Sequence, residues 1–225
     1  GRNESALGEV ASRIGSLGRA ARVFVEDLGE SQAAARLYER LSAERIEVDV
    51  LVNNAGVGAR GRFDRIPLDR QLSMIQLNVT TLTALTHLLL PGMLARNSGG
   101  VLNVASTAAF QAGPLMSVYY ATKAYVLSFT EGLAEELSDT ALKITCLAPG
   151  PTETEFATRA DMTSSRLFRG NVMSAADVAK AGYEGWMAGR RLVIPGRGNL
   201  LGTLMVRVVP RRMTARIVKG LNADA

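Results

Sequence analysis

Tyr119 and Lys123 stand four residues apart in a stretch of helical periodicity, so their side chains share one helix face. A phenol and an ammonium held together could pass a proton to a carbonyl oxygen or take one from an alcohol. If the chain is an enzyme, its acid or base comes from Tyr, Lys or a carboxylate. The chain has one Cys, Cys146, and one His, His87. Those counts exclude a disulfide scaffold and a Cys/His zinc site and, His87 aside, Ser-His or Cys-His nucleophilic catalysis. No metal site is expected. His87, inside a run of Leu and Thr, is expected to pack, and Cys146 is expected to be a small core residue in mid-strand.

Taken alone, the Tyr119–Lys123 pair reads rather as a solvated helix face. Tyr120 is a decoy beside it, since its partner four residues on is Ala124. Three further features change the weighing. Ser106 ends an apolar run, Asn53-Asn54-Ala55-Gly56 ends another, and Asn78 interrupts a long helical pattern from inside. Small and polar residues thus collect where strands stop, which is where α/β folds place ligand-contacting groups.

The elements that would position them alternate. Arg22–Leu28, Asp49–Gly56, Gly100–Ser106, Lys143–Gly150 and Arg191–Gly196 read as strands, most of them nearly continuous apolar runs suited to burial on both faces. Helices are predicted over Glu4–Leu17, Ser31–Arg45, Leu68–Arg96, Ser117–Ser138 and Ser174–Gly189, with Ser31 and Ser174 as N-caps. This pattern predicts a doubly wound, Rossmann-like parallel sheet in a three-layer α/β/α sandwich, one domain over residues 1–225. A Gly-rich turn between a first strand and helix is not found. Gly56–Gly61 is glycine-rich, but no helix starts there. The first strand-helix-strand unit is therefore expected to be missing: either about 35–40 residues precede Gly1 or the fold begins unusually.

In this register the chain resembles the short-chain dehydrogenase/reductase family from Gly1 to about Gly196. The resemblance rests on NNAG at 53–56, Asn78 in LNV, Ser106 in NVAST, YYATK at 119–123 and PGPTET at 149–154. The intervals of 28 residues from Asn78 to Ser106 and 13 from Ser106 to Tyr119 are also like the family's. It implies hydride transfer between a nicotinamide cofactor and a carbonyl or alcohol substrate. Tyr119 would be the acid–base, its pKa pulled down by Lys123, which would also bind the nicotinamide ribose. Ser106 would hold the carbonyl oxygen, and Asn78, through its break in the helix, a water of the proton relay. The cofactor-binding set implied is Arg2, Asp27, Leu28, Asn53, Asn54, Ala55, Gly56, Tyr119, Lys123, Pro149, Gly150, Thr152 and Thr154. Arg2, placed to meet a 2′-phosphate, favours NADP(H) over NAD(H). Two other readings stay open: a 3-oxoacyl-thioester (acyl carrier protein) reductase, and a catalytically silent binding or regulatory protein on this fold.

The net charge of +5 is uneven: residues 1–189 carry 18 basic and 20 acidic groups, residues 190–225 eight basic and one acidic. The tail has no aromatic residue after Trp186, so nucleic-acid binding is not expected. Its apolar and Arg-rich stretch Leu200–Gly220 is expected to cover a sheet edge or subunit contact, with an anionic membrane surface or an acyl carrier protein as the alternative partner. Gln71–Ala95 and Asn97–Thr122 lack formal charge but hold too many polar residues to read as membrane spans. The expected setting is cytoplasmic. The helix at Ser117–Ser138 is expected to pair across a two-fold axis in a homodimer or homotetramer. A lid over the substrate is expected across Phe156–Val172.

Overall fold

The structure is a computed structural model that describes residues 1–170 and 172–224. Asn171, within the expected lid region, and Ala225, at the end of the tail, lie outside the described residues. Along the chain run α1 (Glu4–Ser16), α2 (Ala33–Ala43), β1 (Val50–Asn53), α3 (Leu68–Ile75), α4 (Leu82–Arg96), β2 (Gly100–Val104) and α5 (Ser117–Glu136). Then come β3 (Lys143–Leu147), β4 (Thr152–Glu153), α6 (Glu155–Arg159), β5 (Met173–Ser174), α7 (Ala175–Met187), β6 (Leu192–Val193), α8 (Arg197–Met205) and α9 (Arg211–Asn222).

Four strands form one parallel sheet in the order β1-β2-β3-β6, with Val50 opposite Gly100 and Val101 opposite Ile144. Neighbouring residues of β2 explain its unbroken apolar run. Val101 packs with Met93, Leu133 and Ile144 under α4 and α5, whereas Leu102 packs with Leu147, Val178 and Val193 under α7. Both faces are covered, as the sequence pattern requires. A separate two-stranded parallel pair, β4 with β5, stands at the sheet's carboxyl end.

The rod from Leu68 to Arg96 is a 29-residue helix, long and apolar enough by length and composition to cross a membrane. Here Met74, Leu82, Leu85 and Met93 are buried, and the rod packs on α2, α5, β1 and β2. It is broken by a π-helical turn at Gln76–Thr81, where the sequence placed Asn78 as an interruption.

Four expectations change. Arg22–Leu28 is not a strand: Val23 and Val25 are exposed, and Glu26 donates its N–H to Gly1 across a single 3.0 Å bond. An apolar alternation makes a strand only where a neighbour supplies a ladder. The last strand shrinks from Arg191–Gly196 to Leu192–Val193, because the chain turns at Gly196 with φ +88°. Ser31 does not cap α2, whose N-cap is Gln32 without a side-chain bond; Ser174 does cap α7, accepting from the Asp177 N–H at 3.0 Å. His87 is exposed on α4 rather than packed.

Candidate active site

Ser106 sits directly after β2 in an extended conformation. Its Oγ accepts from the Ala108 N–H at 3.1 Å and so caps the 3₁₀ turn Thr107–Phe110. That fixes the hydroxyl at the carboxyl rim of the sheet, beside the first turns of α5. The Ser106 Oγ donates to the Pro149 carbonyl at 3.4 Å, and Ser106 and Tyr119 line the same cavity. Lys123, one turn further, donates from Nζ to the Val104 carbonyl at 2.7 Å, and Nζ lies 5.9 Å from the Tyr119 ring centre. Both side chains are buried, at 8% and 6% exposure.

Burial governs their protonation. It pushes the Tyr119 phenol above the ordinary tyrosine value, against the opposing influence of the Ser106 side chain, and adjacent Tyr120 pushes the same way. Lys123 is driven down to about 8 by the same desolvation. The pull expected from Lys123 is not among the causes that act on Tyr119 in the protein by itself, where desolvation is the largest.

Asn78 sits on the π turn, almost fully buried. Its Oδ1 accepts from the Val57 N–H at 3.0 Å, and its Nδ2 donates to the Val57 carbonyl at 2.9 Å and to Thr122 Oγ1 at 3.1 Å. It therefore ties the loop after β1 to α5 from behind the site. Asn53 also turns inward, donating to Asn103 Oδ1 at 2.8 Å and Thr86 Oγ1 at 3.1 Å, and so steadies β1 against β2 and α4.

A cavity of about 830 Å³ runs along the carboxyl rim. Its lining includes Arg2, Asp27, Leu28, Asn54, Ala55, Gly56, Ser106, Tyr119, Lys123, Pro149, Gly150, Thr152 and Thr154. Of the residues singled out in the sequence, all but Asn53 and Asn78 thus meet in one space; those two support it from behind. Thr154 has a second task, capping α6 through the Phe156 N–H at 3.3 Å. Arg2 reaches Asp27 across 3.4 Å, in an ion pair with both side chains well exposed.

The residues of the cavity fit a nicotinamide nucleotide. Gly56 lies against Lys123: a Cβ there would stand 3.5 Å from Nζ and 3.4 Å from Asn78 Oδ1, in ordinary contact. Lys123 spends one of its three N–H groups on Val104, which leaves two to meet ribose hydroxyls. Asp27 Oδ1 accepts from the Gly29 N–H at 2.9 Å, which shapes the turn there. A Gly-rich turn for the pyrophosphate is not found among the described residues.

Several residues at the site were not legible in the sequence. Val218 and Leu221 of α9 line the same cavity, and Arg60 joins the loop after β1 to the chain's last residues. The contacts span more than 100 positions, and no periodicity or motif marks them.

A parallel α/β sheet with Ser106 and the buried Tyr119 and Lys123 gathered at its carboxyl rim defines a protein of the doubly wound α/β class. The family profile described as short chain dehydrogenase matches residues 1–164, and the chain belongs to that family. It is 32% identical over 155 residues to an uncharacterized oxidoreductase of Staphylococcus saprophyticus, covering 68% of this chain and 66% of that one. It is 35% identical over 155 residues to a very-long-chain 3-oxoacyl-CoA reductase of Anas platyrhynchos, covering 66% and 49%. The chain thus spans from about half to two thirds of the length of the curated relatives it matches. Among solved structures, a short-chain dehydrogenase from Sphingobium yanoikuyae in complex with NADPH superposes with TM-score 0.80 at 28% identity, covering 92% of this chain and 83% of that one.

Proposed function

We propose that the protein is a nicotinamide-dependent oxidoreductase that interconverts a carbonyl compound and its alcohol. One observation carries the reading: Ser106, Tyr119 and Lys123 converge on one buried wall of a cavity large enough for a cofactor and a substrate. When bound, the nicotinamide cofactor supplies or accepts the hydride. Ser106 Oγ and the Tyr119 hydroxyl hold the substrate oxygen between them. Tyr119, kept as a phenol by burial, gives its proton to that oxygen as negative charge develops, and Ser106 stabilises the charge. Lys123 orients the ribose, and Asn78 is a positioning residue that anchors the proton relay at the π turn rather than touching substrate. In the native-length protein, Ser106→Ala is expected to lower kcat for ketone reduction about 10²-fold with NADPH affinity unchanged. Retention of wild-type turnover overturns the assignment, and a wild-type protein that turns over no ketone or alcohol favours the silent binding role.

The cofactor side of the proposal is a preference for NADP(H). It is supported by Arg2 in the cavity lining, by the NADPH complex of the Sphingobium enzyme, and by a 34% identical NADP-dependent 3-hydroxy acid dehydrogenase of Schizosaccharomyces pombe. An exposed pair such as Arg2–Asp27 is worth at most about 1 kcal/mol, so a 2′-phosphate can draw the guanidinium away. A charge-assisted contact of about 1.5–3 kcal/mol then predicts that Arg2→Ala narrows the NADP/NAD preference tenfold or more. Equal use of both cofactors by the unmutated protein contradicts this.

Reduction of a 3-oxoacyl thioester is the second substrate reading, supported by the Anas relative and by a 31% identical ketoacyl reductase of Nostoc. For partners we propose a homodimer or homotetramer through α5, where exposed Tyr125 stacks on Phe129 at 5.8 Å beside a surface groove of about 270 Å³. A monomeric mass in light scattering contradicts it. The outer side of α8 and α9 exposes Leu201, Leu204, Val208, Met213 and Ile217 among six cations, with no carboxylate between Arg197 and Asn222. That surface suits an anionic membrane or an acyl carrier protein in a cytoplasmic setting. Attachment to anionic vesicles that does not weaken between low and physiological salt rules the electrostatic part out.

A further inference from the structure

The family profile stops at residue 164, and the chain beyond that point returns over the site. Helix α9 lies across the lid side of the cavity, where Val218 and Leu221 line it together with Met116, Phe156 and Phe168. Met213 and Ile217 of the same helix face solvent, and Leu221, at 40% exposure, stands at the cavity mouth. The side chains of this half are largely apolar, and its charged pair, Glu155 with Arg159 at 2.5 Å, is exposed to water.

The end of α9 is held from several directions. Asn222 is fully buried; its Nδ2 donates to the Pro114 carbonyl at 3.0 Å, and its Oδ1 accepts from the Tyr120 hydroxyl at 3.3 Å. Pro114 and Tyr120 flank Tyr119, so the tail is seated on the catalytic helix itself. Arg60 completes the seat. It donates to the Asn222 carbonyl at 3.2 Å and to Asp224 Oδ1 at 2.8 Å on the tail side. On the lid side it donates to the Asp161 carbonyl at 2.5 Å and to Ser164 Oγ at 2.9 Å. Ser164 in turn donates to Asp224 at 2.5 Å, and the Arg166 N–H donates to the Ala223 carbonyl at 3.3 Å. The Arg60 side chain is only 15% exposed, so the fork is largely withdrawn from water and stapled to both segments at once.

We propose that α9 is the outer wall of a subsite for an apolar portion of the substrate, and that Arg60 sets selectivity by latching this wall to the lid. Arg60 is a positioning residue, since it acts through the tail and the lid. The proposal rests on the oxidoreductase reading for its chemistry but not for its binding.

The test compares 2-butanone, which needs only the centre of the site, with 2-decanone, which would fill the subsite. Leu221→Trp, which plugs the subsite from α9, is expected to weaken 2-decanone binding, measured by saturation-transfer NMR on the NADP⁺-loaded protein, which has no hydride to transfer, about tenfold or more. It should keep kcat for 2-butanone within about threefold. Arg60→Ala is expected to speed amide hydrogen exchange over residues 160–168 and 211–224 about tenfold and to raise KM for 2-decanone by a similar factor, with kcat for 2-butanone retained. Arg60→Lys should restore part of both effects. Unchanged 2-decanone binding in Leu221→Trp overturns the subsite. Unchanged exchange and an unchanged decanone-to-butanone ratio in Arg60→Ala overturn the latch. A protein that binds 2-decanone in this pattern yet reduces no ketone keeps the subsite and loses the oxidoreductase reading. A protein that reduces 2-butanone while Leu221→Trp treats 2-decanone as the wild type does keeps the reading and loses the subsite.

Discussion

Tyr119→Phe in the native-length protein is expected to lower carbonyl reduction by about 10³-fold or more, with NADPH binding nearly unchanged. The phenol is the group placed to deliver a proton to an oxygen held by Ser106, and burial keeps that proton on it. Phe occupies the same volume, so the packing against Phe156, with ring centres 5.3 Å apart, and against Tyr120, 6.1 Å away, survives. Loss of rate is then chemistry and not collapse of the site. Tyr120→Phe is the control, because it removes only the 3.3 Å bond to Asn222 and should leave kcat for a small ketone within about threefold. Steady-state kinetics on the two variants decides the register: if Tyr120→Phe is the dead one, the assignment is off by one residue.

Lys123→Met is expected to change the pH dependence of stability as well as to stop turnover. In the folded, cofactor-free protein Lys123 titrates at about 8, against an ordinary value near 10.5 in the unfolded chain. Between those values the unfolded state binds the extra proton, so stability rises with pH. Below pH 8 the buried ammonium imposes its full cost; as the pH climbs through 8 toward 10.5 the cost is relieved. At about 1.4 kcal/mol per unit, the wild type should gain on the order of 3 kcal/mol relative to Lys123→Met across that window. The comparison cancels the lost bond to the Val104 carbonyl, which is missing from the variant at every pH. Denaturant melts of both proteins at pH 7.5 and 10.5 measure it. Parallel curves would mean that the ammonium is better solvated than its 6% exposure implies.

Much of this site is legible in the sequence, and the reason is local. Tyr119 and Lys123 are one helical turn apart, and Ser106 and Gly56 sit just past strands whose apolar runs announce them. Even the break at Asn78 shows as a polar residue inside an apolar helix. What escapes depends on partners far away in sequence. Arg22–Leu28 has the composition of a strand, but strand formation is decided by a neighbour's backbone, which composition does not reveal. His87 is misjudged because a Leu-rich helix has an outer face too. Tyr120 looks idle because its partner, Asn222, lies 102 residues on. Burial escapes for a related reason: spacing reveals that a lysine is near the phenol, but not how much water both groups have lost.

The π turn between α3 and α4 is, geometrically, an α-helix that has taken in one surplus residue. Its neighbours on both sides keep regular hydrogen bonding, so deleting a single residue from Gln76–Thr81 would let the rod heal into an ordinary helix. Healing would turn α3 by about 100° against α4. The amide of Asn78 would leave Val57 and Thr122, and the loop that lines the cavity would lose its tie to the catalytic helix. The protein thus keeps a helix in its less regular form, and a sequence change that improved the helix by every local measure would dismantle the site. The same turn would carry Met74 out of its packing, so the irregular turn serves the core as well as the site.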